Sequence, residues 1–377
     1  MNSKKGYLLL ENGEVMEGEW LSGDHHVDGE MVFNTSMYGY QEILSDPSYR
    51  GQILCFCYPL LGNYGINTHD YESAQFQVSG VILEESSEHF SHYEAKHSLL
   101  DQFQRAHIPV LGRVDTRALV KMLRQTGELR GYLTDQKLDE ATIKHQLETW
   151  QTAPLTSSNR VHEVSVKQPI TYEGEGLHIG LIDYGYKKSI LKSLQQRGCQ
   201  VTVFPYTTTY EQVKAVNPDG LLFSNGPGDP MALAAQLADI KKMSIHYPSL
   251  GICLGHQLLA LAHGASTTKL EYGHRGGNHP VKDVHSGKVY MTAQNHGYVV
   301  TEETLSDTPF TLTFRNVNDH TIEGLRHQHY AIQTVQFHPE AHSGPQDTAY
   351  IFDQFLQEIQ STGEIGEIEY AAASGHS

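Results

Sequence analysis

The chain has 377 residues, of which 39% are hydrophobic, so it has material for two or three folded domains and is not a disordered chain. Forty-four acidic residues against 27 basic ones give a formal net charge of −17, which argues against nucleic acid or an anionic membrane as partner. Without an apolar run of ~20 residues or a signal peptide, and with only four cysteines, we expect a cytoplasmic protein with free thiols.

Residues 1–150 have the mixed pattern of a small β/α domain. Two short strand-like runs flank Asn12-Gly13, a dipeptide that favours a hairpin turn. Residues 31–65 are rich in β-branched and aromatic residues and are interrupted by Gly, Pro and Asn, so strands and loops are expected there. A helix is predicted at 114–127, where Asp115 or Thr116 caps the start and Gly127 ends it.

The C-terminal half has a different pattern, in which apolar strand-like runs alternate with helix-like segments. The polar segment 151–176 is interpreted as a linker that includes one strand. Strands are predicted at 177–185, 199–205, 219–224, 249–252, 288–300 and 329–337, and helices at 187–198, 210–218, 231–248, 256–264 and 349–361. This alternation over 177–362 predicts an α/β fold with a doubly wound, mostly parallel sheet. Residues 363–377 are interpreted as a flexible tail.

One short stretch, GICLG at 251–255, has the pattern of a nucleophile turn. Cys253 lies between two glycines, after a predicted buried strand and before a predicted helix. In α/β hydrolases the pattern G-x-S-x-G exposes a nucleophile on a strained turn between a strand and a helix. A helix N-terminus also lowers the pKa of a thiol, because the first N–H groups of the helix have no partner within it. The alternative is that Cys253 is a small core residue.

Backbone N–H groups near Cys253 are expected to stabilise an oxyanion. The N–H of Leu254 follows the cysteine directly. A second donor is expected in the loop NGPGDP at 225–230, where Gly226 and Gly228 let bare backbone approach a ligand. Oxyanion holes are commonly built from two such N–H groups.

A cysteine nucleophile needs a base and a residue that orients the base. Among 23 histidines, His338 is the best candidate, because it follows a strand-like run and open α/β sheets place their active groups at strand ends. Glu340 is close enough in sequence to hold the imidazole tautomer. The alternation of His338, Glu340 and His342 also allows a metal site, but it matches neither H-E-x-x-H nor H-x-x-E-H, so we expect no metal.

Several long motifs together resemble those of the class I glutamine amidotransferases. SNGPGDP, GICLGHQ, GHRGGNHPV, AQNHGYVV and VQFHPEA occur in the expected order within 177–362. Nearer the N-terminus, FNTSMYGYQEILSDPSYRGQI, YPLLGNYGIN and VDTRALVKMLR resemble the N-terminal domain of the carbamoyl-phosphate synthetase small-chain family. Tyr38, Tyr298 and Ser343 depart from the usual family pattern.

The resemblance implies that the chain hydrolyses L-glutamine to glutamate and ammonia through a cysteine thioester. It implies Cys253 as the nucleophile, His338 as the base and Glu340 as the residue that orients the base. The residues that it implies for glutamine binding are Ser48, Gly226, Gly228, Leu254, Gln257, Asn295, Gly297 and Tyr298.

The resemblance also implies a large partner chain, in a heterodimer or a higher oligomer, that makes carbamoyl phosphate from the ammonia, bicarbonate and ATP. Residues 1–150 are expected to contact this large chain. The chain itself has no G-x-x-x-x-G-K-[ST] loop, so we expect no cofactor here and place ATP and Mg²⁺ on the large chain. The motifs do not distinguish arginine synthesis from pyrimidine synthesis.

Two other functions remain open at this point. A stand-alone cysteine γ-glutamyl hydrolase would use the same scaffold without a partner, although it has no clear need for residues 1–150. A regulatory subunit with an inert site would need no triad, so the presence of Cys253, His338 and Glu340 argues against it.

Overall fold

A computed structural model describes residues 4–127, 129–152 and 159–361. The chain forms two compact units. The first unit is Met1–Arg160 with Leu270–Gly276, and the second is Val161–Lys269 with Gly277–Ser377. The predicted tail at 363–377 and residues 153–158, near the start of the predicted linker, lie outside the described residues.

The first unit combines short strands with helices. Its strands are β1 (Lys5–Leu10), β2 (Val15–Ser22), β3 (Val27–Asn34), β4 (Gln52–Phe56), β5 (Leu60–Leu61), β6 (Gly80–Ile82), β7 (Glu85–Ser86), β8 (Val110–Gly112) and β9 (Arg130–Thr134). Its helices are α1 (Tyr40–Ser45), α2 (Leu99–Arg105), α3 (Thr116–Thr126) and α4 (Glu140–Thr152). A 3₁₀ turn spans Pro47–Tyr49.

Most strands of the first unit close into a barrel in the order β1-β2-β8-β6-β4-β3-β9, with β9 returning to β1. Strand β4 is apolar on both faces because both faces are covered. Ile53 and Cys55 pack with Leu119 of α3, whereas Leu54 and Phe56 pack in the cluster that holds α1 and α2. A closed barrel also leaves no unpaired edge among these strands.

Two local predictions for the first unit are confirmed. β1 and β2 form an antiparallel hairpin around Asn12-Gly13, where Gly13 has φ 88° and its N–H donates to Leu10 O over 2.8 Å. Helix α3 begins after Asp115, whose Oδ1 accepts from Ala118 N at 2.8 Å, and its C-cap is Gly127. In both cases side-chain chemistry at the element's end sets its boundary.

The second unit alternates strands and helices. Its strands are β10 (Ile170–Tyr172), β11 (His178–Asp183), β12 (Gln200–Pro205), β13 (Gly220–Phe223), β14 (Ser249–Ile252), β15 (Thr267–Asp283), β16 (Val289–Val300), β17 (Phe310–Asn316), β18 (Ile322–His327) and β19 (Ile332–Val335). Its helices are α5 (Val161–Val164), α6 (Lys188–Gln195), α7 (Tyr210–Val216), α8 (Leu237–His246), α9 (Leu254–Ala262) and α10 (350–361). Further 3₁₀ turns span Pro230–Gln236 and Glu302–Asp307.

These strands form one sheet in the order β10-β12-β11-β13-β14-β19-β18-β17-β15-β16. The segment from β12 to β19 in this order is parallel, and β18 and β17 extend it as antiparallel strands. Helices α6 and α10 cover one face of the parallel part, and α8 and α9 cover the other. The predicted doubly wound sheet is confirmed, and its antiparallel extension is an addition to that prediction.

Two details of the second unit differ from the sequence interpretation. The segment predicted as one helix at 231–248 begins as a 3₁₀ turn, because Leu233 has φ −106° and ψ 20° and interrupts the helical geometry. The segment interpreted as a linker contains α5, and its β10 pairs antiparallel with β12. Each described helix is too short or too polar to cross a bilayer.

All four cysteines lie in the described part of the chain, and each is a free thiol. A reducing, cytoplasmic location remains a prediction from this cysteine content.

Candidate active site

Cys253 occupies a strained turn between β14 and α9. Its backbone has φ 54° and ψ −104°, a conformation that residues with a side chain rarely adopt. Its N–H donates to Val335 O of the neighbouring parallel strand over 2.9 Å, which holds the turn in place. The side chain is therefore presented at the N-terminal end of α9, where the helix favours negative charge.

Close backbone contacts explain the glycines around this turn. A Cβ on Gly255 would lie 2.1 Å from Phe223 O, at the end of β13. A Cβ on Gly226 would lie 2.2 Å from Tyr184 O and 2.9 Å from the Leu254 side chain. Only glycine lets the loop after β13 approach the start of α9 this closely.

In the structure, His338, the predicted base, lies near Cys253. Its N–H donates to Ala293 O over 2.9 Å, and its Nδ1 donates to Glu340 Oε1 over 2.6 Å. Burial lowers the pKa of His338, but the Glu340 charge and the nearby Cys253 thiol outweigh it and raise the pKa to about 10. Nε2 has no hydrogen-bond partner in the described residues, so this nitrogen remains available for proton transfer.

The sequence analysis missed a buried lysine, Lys187, which forms an ion pair with the same Glu340 carboxylate that holds His338. Lys187 is 3% exposed, and its Nζ lies 3.1 Å from Glu340 Oε1. Burial raises the pKa of Glu340, but the charges of Lys187 and His338 outweigh it and lower the pKa to about 2. Glu340 therefore stays ionised and keeps its orientation toward the imidazole.

Local hydrogen bonds explain why Lys187 points inward while Lys188 is exposed. The Asp183 carboxylate at the end of β11 accepts from Gly185 N at 2.8 Å and from Tyr186 N at 2.9 Å. Lys187 N then donates to Asn225 Oδ1 over 3.1 Å, and Lys187 Nζ donates to His342 O. The sequence shows only two adjacent lysines, and nothing in that pattern distinguishes the buried one from the solvated one.

The same geometry disfavours the alternative metal site at His338, Glu340 and His342. Glu340 already binds the Lys187 ammonium and the His338 ring. A metal cation at this position would be repelled by that ammonium and would compete for the same carboxylate oxygen.

Strand β16 and helix α9 supply the other residues expected around the thiol. Cys253 Sγ contacts Asn295 O at 3.6 Å. Gln257, one turn along α9, donates from Nε2 to Tyr298 O over 2.7 Å. The Tyr298 ring lies 5.5 Å from Lys269 Nζ and, like Gly297, is partly exposed. These contacts bring strand β16 and helix α9 together beside Cys253.

The predicted oxyanion donors lie at the start of α9 and in the loop after β13. In the described part of the chain, the Leu254 N–H donates no hydrogen bond, whereas the Gly255 N–H is used by Ser224 O at 2.9 Å. Gly228 has φ 91° and open space beside it. The free Leu254 N–H follows the nucleophile directly, which is the arrangement that an oxyanion hole requires.

Comparison with known proteins matches both units of the chain. The model of the carbamoyl-phosphate synthase small chain, CPSase domain, matches residues 8–133, and that of glutamine amidotransferase class-I matches residues 180–358. The chain is 51% identical over 359 residues to the carbamoyl phosphate synthase arginine-specific small chain of Halalkalibacterium halodurans, covering 95% of this chain and 98% of that protein.

Two further relatives match over nearly their whole length. The arginine-specific small chain of Bacillus subtilis is 48% identical, with 94% of this chain and 97% of that protein covered. The carbamoyl phosphate synthase small chain of Listeria innocua is 45% identical, with 97% of this chain and 99% of that protein covered. The chain belongs to the carbamoyl-phosphate synthase small-chain family. The resemblance drawn from the sequence motifs is thus confirmed.

One predicted site residue of this small chain lies in the first unit. Ser48 is 6% exposed in the 3₁₀ turn after α1, and its N–H donates to Asp46 Oδ1 over 2.9 Å. Its proposed contact with the carboxylate of glutamine therefore remains a prediction from the family motif. The other predicted residues of the small chain all belong to the second unit.

Proposed function

We propose that this chain hydrolyses L-glutamine to L-glutamate and ammonia as the small chain of a carbamoyl-phosphate synthase. The observation that carries the proposal is the strained turn at Cys253, which a buried His338–Glu340–Lys187 chain adjoins. A thiol, a base and an ionised carboxylate in this order are the parts that nucleophilic hydrolysis of a carboxamide needs.

The first half of the reaction forms a thioester. The Cys253 proton passes to His338 Nε2, which leaves a thiolate beside the imidazolium that the raised pKa of His338 favours. Cys253 Sγ then attacks the side-chain carboxamide carbon of glutamine. The Leu254 N–H, with backbone near Gly226 and Gly228, stabilises the oxyanion. The C–N bond then breaks, and the imidazolium of His338 donates its proton to the departing ammonia. Because Glu340 is held ionised by Lys187, it stabilises this imidazolium.

The second half of the reaction returns the free enzyme. His338 removes a proton from water, and the resulting hydroxide attacks the thioester carbon. The C–S bond breaks, glutamate leaves, and Sγ recovers its proton from His338. Gln257, Asn295, Gly297 and Tyr298 are proposed to hold the amino-acid part of the substrate, and a contact of Ser48 with its carboxylate remains a prediction from the family motif.

The partner of this chain is proposed to be a large ATP-dependent chain that uses the ammonia to make carbamoyl phosphate. ATP and Mg²⁺ are assigned to that chain, because the present sequence has no G-x-x-x-x-G-K-[ST] loop. We also propose that residues 1–150 supply the contact and that the product serves arginine synthesis, since two of the relatives are named arginine-specific. A stand-alone γ-glutamyl hydrolase is not favoured, since the family match includes residues 8–133.

Replacement of the nucleophile tests the proposed function. In the complex of this chain with the large chain, Cys253→Ser is expected to abolish glutamine-dependent carbamoyl phosphate synthesis while ammonium chloride still supports it. Cys199→Ser, at a core position, is the control and should retain both activities. Loss of ammonia-dependent synthesis in Cys253→Ser, or retention of glutamine-dependent synthesis, would count against the proposal.

A further inference from the structure

The amide of Gln257 is anchored on two sides. Its Nε2 donates to Tyr298 O over 2.7 Å and to Gln336 Oε1 over 2.9 Å. A primary amide has two N–H donors, so both are engaged. The side chain is 3% exposed and lies one helical turn after Cys253.

These anchors determine which atom of Gln257 can meet a ligand. A backbone carbonyl only accepts hydrogen bonds, so the amide nitrogen must face Tyr298 O and the amide cannot flip. Within the described residues, Gln257 Oε1 receives no hydrogen bond from the protein. The remaining polar atom of this side chain, Oε1, can therefore only accept a hydrogen bond from a ligand.

Gln336 is an unusual residue for a fully buried position. It has no exposed surface, its N–H donates to Glu323 O over 2.8 Å, and its Nε2 has no partner in the described part of the chain. A buried amide with an unmet donor is destabilising, and an apolar side chain would fill the space without that cost. Among the residues that the structure describes, the one hydrogen bond that its side chain makes is the contact with Gln257.

We propose that Gln336 is a positioning residue for substrate recognition: with the Tyr298 carbonyl it fixes Gln257 so that Oε1 meets the α-ammonium of the substrate. This inference rests on the proposed function. An ammonium group only donates hydrogen bonds and a carboxylate only accepts them, so a fixed acceptor selects the ammonium end. Gln336 also lies two residues before His338, so one segment positions both the base and the substrate-binding amide.

Comparison of L-glutamine with glutaramate, which lacks only the α-amino group, tests this role. In the complex with the large chain, Gln336→Met is expected to raise KM for glutamine about tenfold, with kcat changed less than about threefold. KM for glutaramate should stay unchanged, so the ratio of the two KM values should move closer to one. Gln257→Met should show the same loss, and the double variant no further loss.

The matched control is Gln333→Met, in the same strand segment but paired with Arg326. It should leave discrimination unchanged. The inference is overturned if Gln336→Met raises KM for both amides equally, changes neither, or adds its full effect to that of Gln257→Met. Gln336→Leu serves if Gln336→Met does not fold. Failure of the wild-type complex to hydrolyse glutamine would instead contradict the proposed function.

Discussion

At the scale of single residues, the active site depends on a line of buried charges. The exposed fractions of Cys253 and His338 are 2%, that of Lys187 is 3% and that of Glu340 is 5%. Charges this deep are tolerated only when each has an opposite partner. Lys187 is thus as necessary to the ionisation of Glu340 as His338 is.

Removal of the Lys187 charge is the first test at this scale. In Lys187→Met, the pKa of Glu340 should rise from about 2, so the carboxylate protonates at higher pH and releases His338. The acid limb of the pH profile for glutamate release should therefore move to higher pH. The free energy of unfolding should fall by about 3 kcal/mol, as for other broken buried pairs.

Lys188→Met is the matched control for this change, because Lys188 is the exposed neighbour of Lys187. It should leave both the pH profile and the stability unchanged. Identical pH profiles for Lys187→Met and the wild type would contradict the role assigned to Lys187.

The pH dependence of stability provides a second test. The pKa of His338 is raised from 6.5 to about 10, so its stabilising charge is complete below pH 6.5 and lost as the pH rises through 10. That of Glu340 is lowered from 4.5 to about 2, so its contribution is complete above pH 4.5 and lost toward pH 2. The pair should therefore contribute most between pH 4.5 and 6.5.

Denaturant unfolding of the wild type and His338→Gln measures this contribution. The difference in unfolding free energy between them should shrink from pH 7 to pH 10, whereas other titrating groups affect both proteins alike. A difference that is constant over this range would show that His338 is not held as an imidazolium.

At the scale of elements, the carboxyl ends of four parallel strands assemble the site. β11 leads to Lys187, β13 to the loop at 225–230, β14 to Cys253, and β19 to His338. These strands are neighbours in the sheet, so residues far apart in sequence meet at one edge. The segments that follow these strands pack so closely that a Cβ atom at Gly226 or Gly255 would clash with neighbouring backbone.

Gly255→Ala tests that close packing. The new Cβ would lie 2.1 Å from Phe223 O, so α9 must move away from β13. We expect a loss of about 3 kcal/mol or more in unfolding free energy, as for other overpacked core positions, together with loss of glutamate release. Gly287→Ala, where φ is 73° and nothing lies within 4 Å of the Cβ, should cost only about 1–2 kcal/mol and keep activity. Equal effects of the two changes would contradict the packing argument.

At the scale of the whole molecule, we expect the four thiols to differ in reactivity because they differ in surroundings. Burial raises the pKa of Cys55 well above its usual range and those of Cys57 and Cys199 to about 11. Only Cys253 combines a helix N-terminus with an adjacent imidazole. A thiol becomes a nucleophile in such surroundings, whereas the other three behave as small apolar residues.

Labelling of the intact chain tests this difference. A chloroketone analogue of glutamine at pH 7 is expected to add one adduct per chain, located on Cys253 by peptide mass spectrometry. Excess glutamate should slow the labelling. Adducts on Cys57 or on several cysteines at similar rates would contradict the assignment, and Cys253→Ser provides the unlabelled control.

Local patterns in the sequence were sufficient for those parts of the fold that neighbouring residues determine. The hairpin at Asn12-Gly13, helix α3 and the alternating strands and helices from β11 to α9 follow from turn residues, caps and apolar periodicity. β15, β17 and β18 were not predicted, because their polar and apolar residues follow no simple period. Closure of the N-terminal strands into a barrel depends on long-range pairing, which no local pattern reveals.

The sequence by itself identified the family and predicted Cys253, His338 and Glu340 as site residues, because the turn GICLG and the pair His338–Glu340 are each recognisable as local motifs. Only the tertiary structure decided that Lys187 faces inward to hold Glu340 and that Gln336 anchors Gln257. The physical reason is that burial and hydrogen-bond partners depend on which strand ends meet at the sheet edge. The charges around a lysine, and the direction in which a glutamine amide points, are therefore set only when these strands pack together.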